Sequence, residues 1–169
     1  MKKNLTLTGM MGVGKSAVGK SLSKRLLMQF SDIDKIIENT LKMSIQEIFK
    51  KKGELFFRKL EEKISLQEAK KKNVVISLGG GAFMSSKIRK ATFLNSKSFW
   101  LDLDIKLLEK RLIKSKNRPL LNNKNLGASL NKIYKERKST YATANYRIDC
   151  EKLTINLITN KIIKLYANS

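Results

Sequence analysis

Hydrophobic and polar positions alternate over Leu5-Thr6-Leu7-Thr8, the two-residue period of a strand. Behind them Ala17, Val18, Leu22, Leu26 and Leu27 recur at helical spacing, so the pattern predicts a strand over 3–8 and a helix over 15–28. Phe30-Ser31-Asp32-Ile33-Asp34 reads as a very short second strand, in which an extended backbone would send both carboxylates to one side. Residues 35–72 keep helical spacing with one interruption at Lys52-Gly53; Ser44 suits an N-cap, and Glu47 completes a capping box. The near-continuous apolar run Asn73–Leu78 suits a central strand of a parallel sheet covered on both faces. Ser98–Leu103 predicts a fourth strand and Arg147–Cys150 a fifth; Ile105–Ile113, Leu126–Ala144 and Leu153–Tyr166 predict helices.

Length and composition narrow the chemistry. With 169 residues the chain suits one domain with a sizeable core and no need of disulfides or a structural metal. No apolar run approaches the roughly 20 residues of a membrane span. Met1-Lys2-Lys3 leads into no signal-peptide core, so a cytoplasmic protein is expected. One cysteine, Cys150, and no histidine exclude an internal disulfide, a Cys/His zinc cluster and a Ser-His-Asp triad; Cys150 is expected as a small core residue at a strand end. The net charge of +22 raises nucleic acid, an anionic membrane surface and small acidic ligands as partners. Yet Lys50-Lys51-Lys52, Lys70-Lys71-Lys72 and the many single lysines lack the interleaved aromatics of a base-stacking platform and read as solvated helix faces. Neither a nucleic-acid nor a membrane partner is therefore expected, and the positive field serves to attract small anions.

The chemistry begins at Gly9-Met10-Met11-Gly12-Val13-Gly14-Lys15-Ser16, the phosphate-cradling pattern G-x-x-x-x-G-K-S between predicted strand and helix. Its backbone N–H groups close around phosphate oxygens, Lys15 reaches the outer phosphates, and Ser16 can ligate Mg²⁺. Acids at the carboxyl end of a strand suit metal or substrate: Asp32 is a candidate Mg²⁺ ligand through water, and Asp34 either accepts a hydroxyl proton or caps the following helix. Arg58, after Phe56-Phe57, could grip a carboxylate through a forked contact or pair with Glu61 or Glu62 on its own helix. Gly79-Gly80-Gly81 implies close approach of backbone to a ligand. The polar, basic segment Lys114–Asn125, with Arg118 and the sole proline, suggests a lid over a transferring phosphoryl group or an ordinary connection. Arg137 and Tyr141 lie one turn apart on one helix face.

These motifs, in this order and spacing, resemble shikimate kinase nearly end to end: Gly9–Ser16, Asp32-Ile33-Asp34, Phe57-Arg58 with Glu61, the triple glycine, Arg118-Pro119-Leu120-Leu121, and Glu136-Arg137 with Tyr141. The resemblance implies an α/β, three-layer αβα fold with a five-stranded parallel sheet of the nucleoside-monophosphate-kinase type. It also implies a helical substrate-binding subdomain over about 33–62, a mobile lid over about 113–126, and a monomer. It implies phosphorylation of the 3-hydroxyl of shikimate with ATP and Mg²⁺. Asp34, Arg58, Gly80 and Arg137 would hold shikimate. Gly12, Val13, Gly14, Lys15, Ser16, Ala17 and Arg118 would hold the nucleotide, with Arg111 a further arginine on that side; Ser16 and Asp32 would serve the metal, and Lys15, Asp34 and Arg118 the chemistry. Ala17 stands where the family commonly has threonine, Leu27–Asp32 lacks the usual glycine-containing approach, and the tail offers no adenine-proximal arginine. The rival readings are another small-molecule kinase of this fold, for gluconate or a nucleotide, and a non-enzymatic nucleic-acid-binding module.

Overall fold

The computed structural model describes residues 3–113 and 125–168. Five strands, β1 (Asn4–Thr8), β2 (Gln29–Asp32), β3 (Val74–Ser77), β4 (Ser96–Asp102) and β5 (Tyr146–Asp149), form one sheet in the order β2-β3-β1-β4-β5. Every pairing is parallel, with Leu5 opposite Val75 on one side of β1 and Leu7 opposite Phe99 on the other. β1 and β3 are buried along their whole length, which is why Val74-Val75-Ile76 reads as an unbroken apolar run. The chain goes from β1 to the β2 edge, returns to β3 and then crosses to β4, so the direction of winding reverses at β1. In an open α/β sheet the ligand crevice lies at the carboxyl ends of the strands beside that reversal.

The flanking helices are α1 (Lys15–Leu26), α2 (Ile33–Leu41), α3 (Ile45–Ala69), α4 (Ser86–Asn95), α5 (Ile105–Ile113), α6 (Leu126–Tyr141) and α7 (Ile155–Ala167). Helix α1 buries Val18, Gly19 and Leu22 at the spacing that predicts it. It lies so close to β2 that a Cβ on Gly19 would stand 2.4 Å from the Phe30 ring. It stops at Leu26 rather than at residue 28. Leu27 turns left-handed, with φ 54°, and its N–H bonds the carbonyl of Ser23, the αL ending that glycine usually supplies.

The segment 28–45 departs most from its reading. β2 starts at Gln29 and ends at Asp32, and Ile33 already belongs to α2. Asp32 is the N-cap, its side chain accepting from the Lys35 N–H, and Asp34 sits in the first helical turn. Asp32 and Asp34 are thus not alternate residues of one strand, and Asp34 is not the cap: the short polar side chain with extended φ/ψ takes that place. Ser44 and Glu47 form the expected capping box on α3. The expected interruption is there too, since Gly53 takes φ 80° and ψ 165° inside α3. A 3-10 turn at Ala82–Met84 and helix α4 occupy a stretch that the hydrophobic pattern leaves unassigned. β4 begins two residues earlier than predicted, at Ser96, and α6 ends at Tyr141 rather than at Ala144. Cys150 is buried directly after β5, as expected. Among the described residues no helix is long and apolar enough to cross a membrane.

Candidate active site

The loop between β1 and α1 is built around backbone freedom at Gly14, which caps α1 in a left-handed conformation with φ 104°. Only glycine adopts that geometry without strain, and it turns the first N–H groups of α1 toward the crevice. Lys15 folds its ammonium back into the loop, donating to the carbonyls of Gly9 at 2.8 Å and Met10 at 2.9 Å. Val13 is buried, and its carbonyl accepts from Arg111 at 3.3 Å, so the arginine expected on the nucleotide side does lie against the loop. Ala17 is exposed in the first turn of α1. Ser16 donates to Asp32 at 2.5 Å, which joins the end of β2 to the start of α1 through two oxygen-bearing side chains.

A cleft of about 490 Å³ opens beside this pair, and its lining runs from Ser16, Asp32 and Asp34 to Arg58, Glu61 and Arg137. Glu61, 2% exposed, stands on α3 facing the carboxyl end of β3. Its Oε2 accepts from Arg58 Nη1 at 2.7 Å, while its Oε1 is buried without a hydrogen-bond partner among the described residues. Burial, with the nearby Asp34 carboxylate adding to it, pushes the Glu61 carboxyl above its ordinary value against the pull of Arg58 and Arg137. Burial works against the charge of the Arg58 guanidinium, but Glu61 and then Glu54 outweigh it and hold its pKa above the ordinary value. Arg137 Nη1 is likewise buried with no hydrogen-bond partner among the described residues. Two guanidinium groups therefore meet at one end of the cleft.

The triple glycine is explained by these side chains. A Cβ at Gly79 would stand 2.3 Å from Glu61 Oε1 and 2.8 Å from Asp34 Oδ1; at Gly81 it would meet the Arg58 guanidinium at 2.6 Å. Gly80 offers its carbonyl to the Tyr141 hydroxyl and has Arg137 Nη1 and the Met11 N–H as neighbours. None of the three has a positive φ; the requirement is space, with Asp34, Glu61 and Arg58 pressed against the strand end. Tyr141 is fully buried and stacks on Trp100 with centroids 6.0 Å apart, so the turn of α6 that carries Arg137 is anchored to the sheet.

Of the residues expected in the site, Gly12, Val13, Gly14, Lys15, Ser16 and Ala17 come together in the loop and first turn. Asp32, Asp34, Arg58, Gly80 and Arg137 line the adjoining cleft. Arg118 and most of the predicted lid lie outside the described residues. Arg58 lines the cleft and pairs along its own helix, with Glu61 as expected and also with Glu54, but not with Glu62, which binds Ser85 and Lys87 instead. Sequence reasoning passes over Glu61 as a working group, and over Phe49 and Met11 in the cleft wall. The three-residue step from Arg58 to Glu61 is a signal for the first; no local pattern marks the others. No group of three or more His, Cys, Asp or Glu side chains fit to hold a metal occurs among the described residues. One hydroxyl and one carboxylate suit Mg²⁺, whose remaining ligands come from phosphates and water.

The family model described as shikimate kinase matches residues 11–167. A shikimate kinase of Bartonella henselae is 39% identical over 95% of this chain and 76% of its own length. One from a Sulfurihydrogenibium species is 38% identical over 95% and 96%. Among solved structures, shikimate kinase from Acinetobacter baumannii in complex with shikimate superposes with a TM-score of 0.95 at 31% identity, covering 99% of this chain and 94% of that one. With phosphate loop, acidic pair and paired arginines joined in one crevice, and with the match running over nearly its whole length, this chain belongs to the shikimate kinase family.

Proposed function

We propose that the chain transfers the γ-phosphoryl group of ATP to the 3-hydroxyl of shikimate, giving shikimate 3-phosphate and ADP on the route to chorismate. The observation that carries this reading is the pair Arg58 and Arg137, which line the cleft beside Gly81 and Gly80, with Arg137 Nη1 unsatisfied among the described residues. A forked cation pair at one end of a cleft suits a carboxylate, and the phosphate loop beside its other end suits a nucleotide. A nucleoside monophosphate brings no carboxylate to that pair; gluconate does, and the assay below separates it from shikimate.

In this reading the shikimate carboxylate bridges Arg58 and Arg137, and the Gly80 backbone lies along the ring. The 3-hydroxyl faces Asp34. Its oxygen attacks the γ-phosphorus in line, the bond to the β–γ bridging oxygen breaks, and the hydroxyl proton passes to the Asp34 carboxylate. Lys15 exchanges its loop carbonyls for phosphate oxygens and offsets their charge, while the N–H groups from Gly12 to Ala17 hold the phosphates. Ser16 and Asp32 are the residues that would hold Mg²⁺, one directly and one through water. When bound, that ion neutralises phosphate charge and orients the oxygens. Arg118, from the segment read as a lid, is the remaining donor for the migrating group.

A coupled assay with ATP and Mg²⁺ tests the reading: shikimate is turned over, gluconate and nucleoside monophosphates are not, and activity disappears with EDTA and returns with Mg²⁺. Turnover of gluconate in place of shikimate would select the rival kinase. Lys15→Ala lowers kcat by about 100-fold or more, roughly 3 kcal/mol of barrier. Asp34→Asn separates roles: a collapse of kcat with little change in KM marks the proton acceptor, whereas retained kcat reduces Asp34 to a positioning contact.

A further inference from the structure

We propose that the end of the sheet opposite the cleft is a docking surface for a bilayer rich in anionic phospholipid, on which the chain rests with its active site turned toward solution. Because every strand pairing is parallel, the segments that lead into the strands all arrive at one end, and the cleft occupies the other. Hydrogen bonds hold these segments together. Asn73 accepts from the Gln29 N–H at 2.9 Å and donates to the Leu27 carbonyl at 3.2 Å. Asn4 donates to the Lys71 carbonyl at 2.6 Å, Lys3 donates to the Phe93 carbonyl at 3.1 Å, and the Tyr166 hydroxyl of α7 donates to the Lys3 carbonyl. Lysines far apart in sequence thereby become one surface.

Its exposed charge is of one sign. Segments 20–29, 67–74, 89–97 and 160–168 contain a single acid, Glu68, which is buried and engaged by Ser31 and Lys71. Lys24, Lys70, Lys72 and Lys164 are exposed and belong to no ion pair among the described residues. The apolar groups are a second, independent observation. The two most exposed large apolar side chains among the described residues, Leu27 at 87% and Leu94 at 74%, stand at this end, with Phe93 beside Leu94. Leu27 closes α1 with φ 54°, a conformation that glycine takes without strain, and buries almost nothing in return.

Cations interspersed with aliphatic side chains suit the headgroup region of a bilayer, where lysines reach lipid phosphates and leucines enter the acyl boundary. A polynucleotide would use the cations but not Leu27 and Leu94, since its bases stack on aromatic rings. A second copy of a chain with net charge +22 would be repelled. The contact is superficial, because no helix among the described residues is long and apolar enough to cross a membrane.

Cosedimentation with vesicles tests this, one set made of phosphatidylcholine and the other of phosphatidylcholine and phosphatidylglycerol in equal parts. The natural protein binds the anionic set and not the neutral one, and NaCl releases it. Lys70→Gln with Lys72→Gln weakens that binding about tenfold or more, whereas Lys132→Gln with Lys135→Gln, the same loss of charge on α6, weakens it by less than about threefold. Leu27→Gly with Leu94→Ser weakens it about fivefold at unchanged net charge. Leu27→Gly by itself raises Tm, since glycine relieves the left-handed turn, so the lost binding is not a loss of fold. kcat and KM for shikimate stay those of the natural protein in every variant and on the vesicles. No binding, equal binding to both vesicle sets, an equal loss in the two lysine pairs, or full binding by the leucine pair overturns the proposal. A labelled oligonucleotide bound more tightly than the anionic vesicles, with the leucine pair without effect, overturns it in favour of a nucleic-acid surface.

Discussion

Gly79 carries more of the site than its missing side chain suggests. The carboxylates of Asp34 and Glu61 converge on the point its Cβ would occupy, at 2.8 and 2.3 Å, so both must swing away from the positions they hold in the cleft wall to admit a methyl group. Gly79→Ala therefore displaces the proposed proton acceptor, and kcat/KM falls by about 100-fold, the scale expected of a misplaced reacting group; circular dichroism reports an unchanged fold. Activity within a few-fold of the natural protein would mean that the carboxylates have room the structure does not provide. Glu61 presents the opposite exchange. Its carboxyl titrates above the ordinary 4.5 because burial disfavours the charge. The folded state therefore binds the proton more tightly than the unfolded chain, and the stability this contributes, full below 4.5, is lost as pH rises through the raised value. Glu61→Gln abolishes that loss. At pH 7 its Tm equals or exceeds that of the natural protein, the gap closes as pH falls toward 4.5, and KM for shikimate rises because Arg58 loses its charged partner. A Tm well below the natural protein's at pH 7 contradicts this account. The sequence reads the triple glycine as backbone approached by a ligand; the atoms that crowd Gly79 and Gly81 are instead the chain's own, from α2 and α3, far away in sequence.

Elements divide by the range of the forces that shape them. The capping box at Ser44 and Glu47 and the break at Gly53 are settled within a few residues, and both are legible in the sequence. The left-handed end of α1 at Leu27 and the early start of α2 at Ile33 depend on how the chain rejoins β3, where the carbonyl of Asn73 accepts the Gln29 N–H and its side-chain amide donates to the Leu27 carbonyl. The position of α6 is likewise a tertiary matter. One turn before Arg137, Tyr134 donates its hydroxyl to the buried Asp102 at the end of β4 at 3.1 Å, and Arg147 from β5 pairs with the same carboxylate at 2.8 Å. Burial and the Asp102 charge push the Tyr134 hydroxyl up to about 12, so it remains a donor throughout the working range. Tyr134→Phe leaves Arg147 as the carboxylate's remaining side-chain partner among the described residues. It costs about 1 kcal/mol of stability, and because α6 carries Arg137 it raises KM for shikimate more than it lowers kcat. An unchanged Tm and KM would show that the Trp100–Tyr141 stack alone holds the helix.

At the scale of the molecule the sequence is most explicit about charge: 36 lysines and arginines face 14 acids, for a net +22. Among the described residues the acids form seven ion pairs, and four of those join neighbours along α3 or its flank, so most cations lie outside them. The sheet face covered by α1 and α7 is the extreme case. Neither helix contains an acid, Lys20, Lys24, Arg25, Lys161 and Lys164 are exposed there, and the two helices are joined by the Arg25–Asn160 hydrogen bond at 2.5 Å. Self-repulsion on that scale destabilises the compact state until salt screens it, and the screening length falls to about 10 Å at 0.1 M. Raising NaCl from 10 to 200 mM therefore increases Tm, by roughly 3 °C for a chain of this size, while kcat/KM falls as the attraction of anionic substrates is screened. Lys161→Glu, which also sets an acid three residues before Lys164, reproduces part of the gain in Tm at low salt, and its advantage shrinks as salt is added. Sulfate acts differently, since it can also occupy the phosphate loop. Comparison with Lys15→Ala separates the two effects: the NaCl response survives in that variant, and the additional stabilisation by sulfate does not. A Tm that falls with NaCl in the natural protein would mean that its few ion pairs outweigh the repulsion of its many unpaired cations.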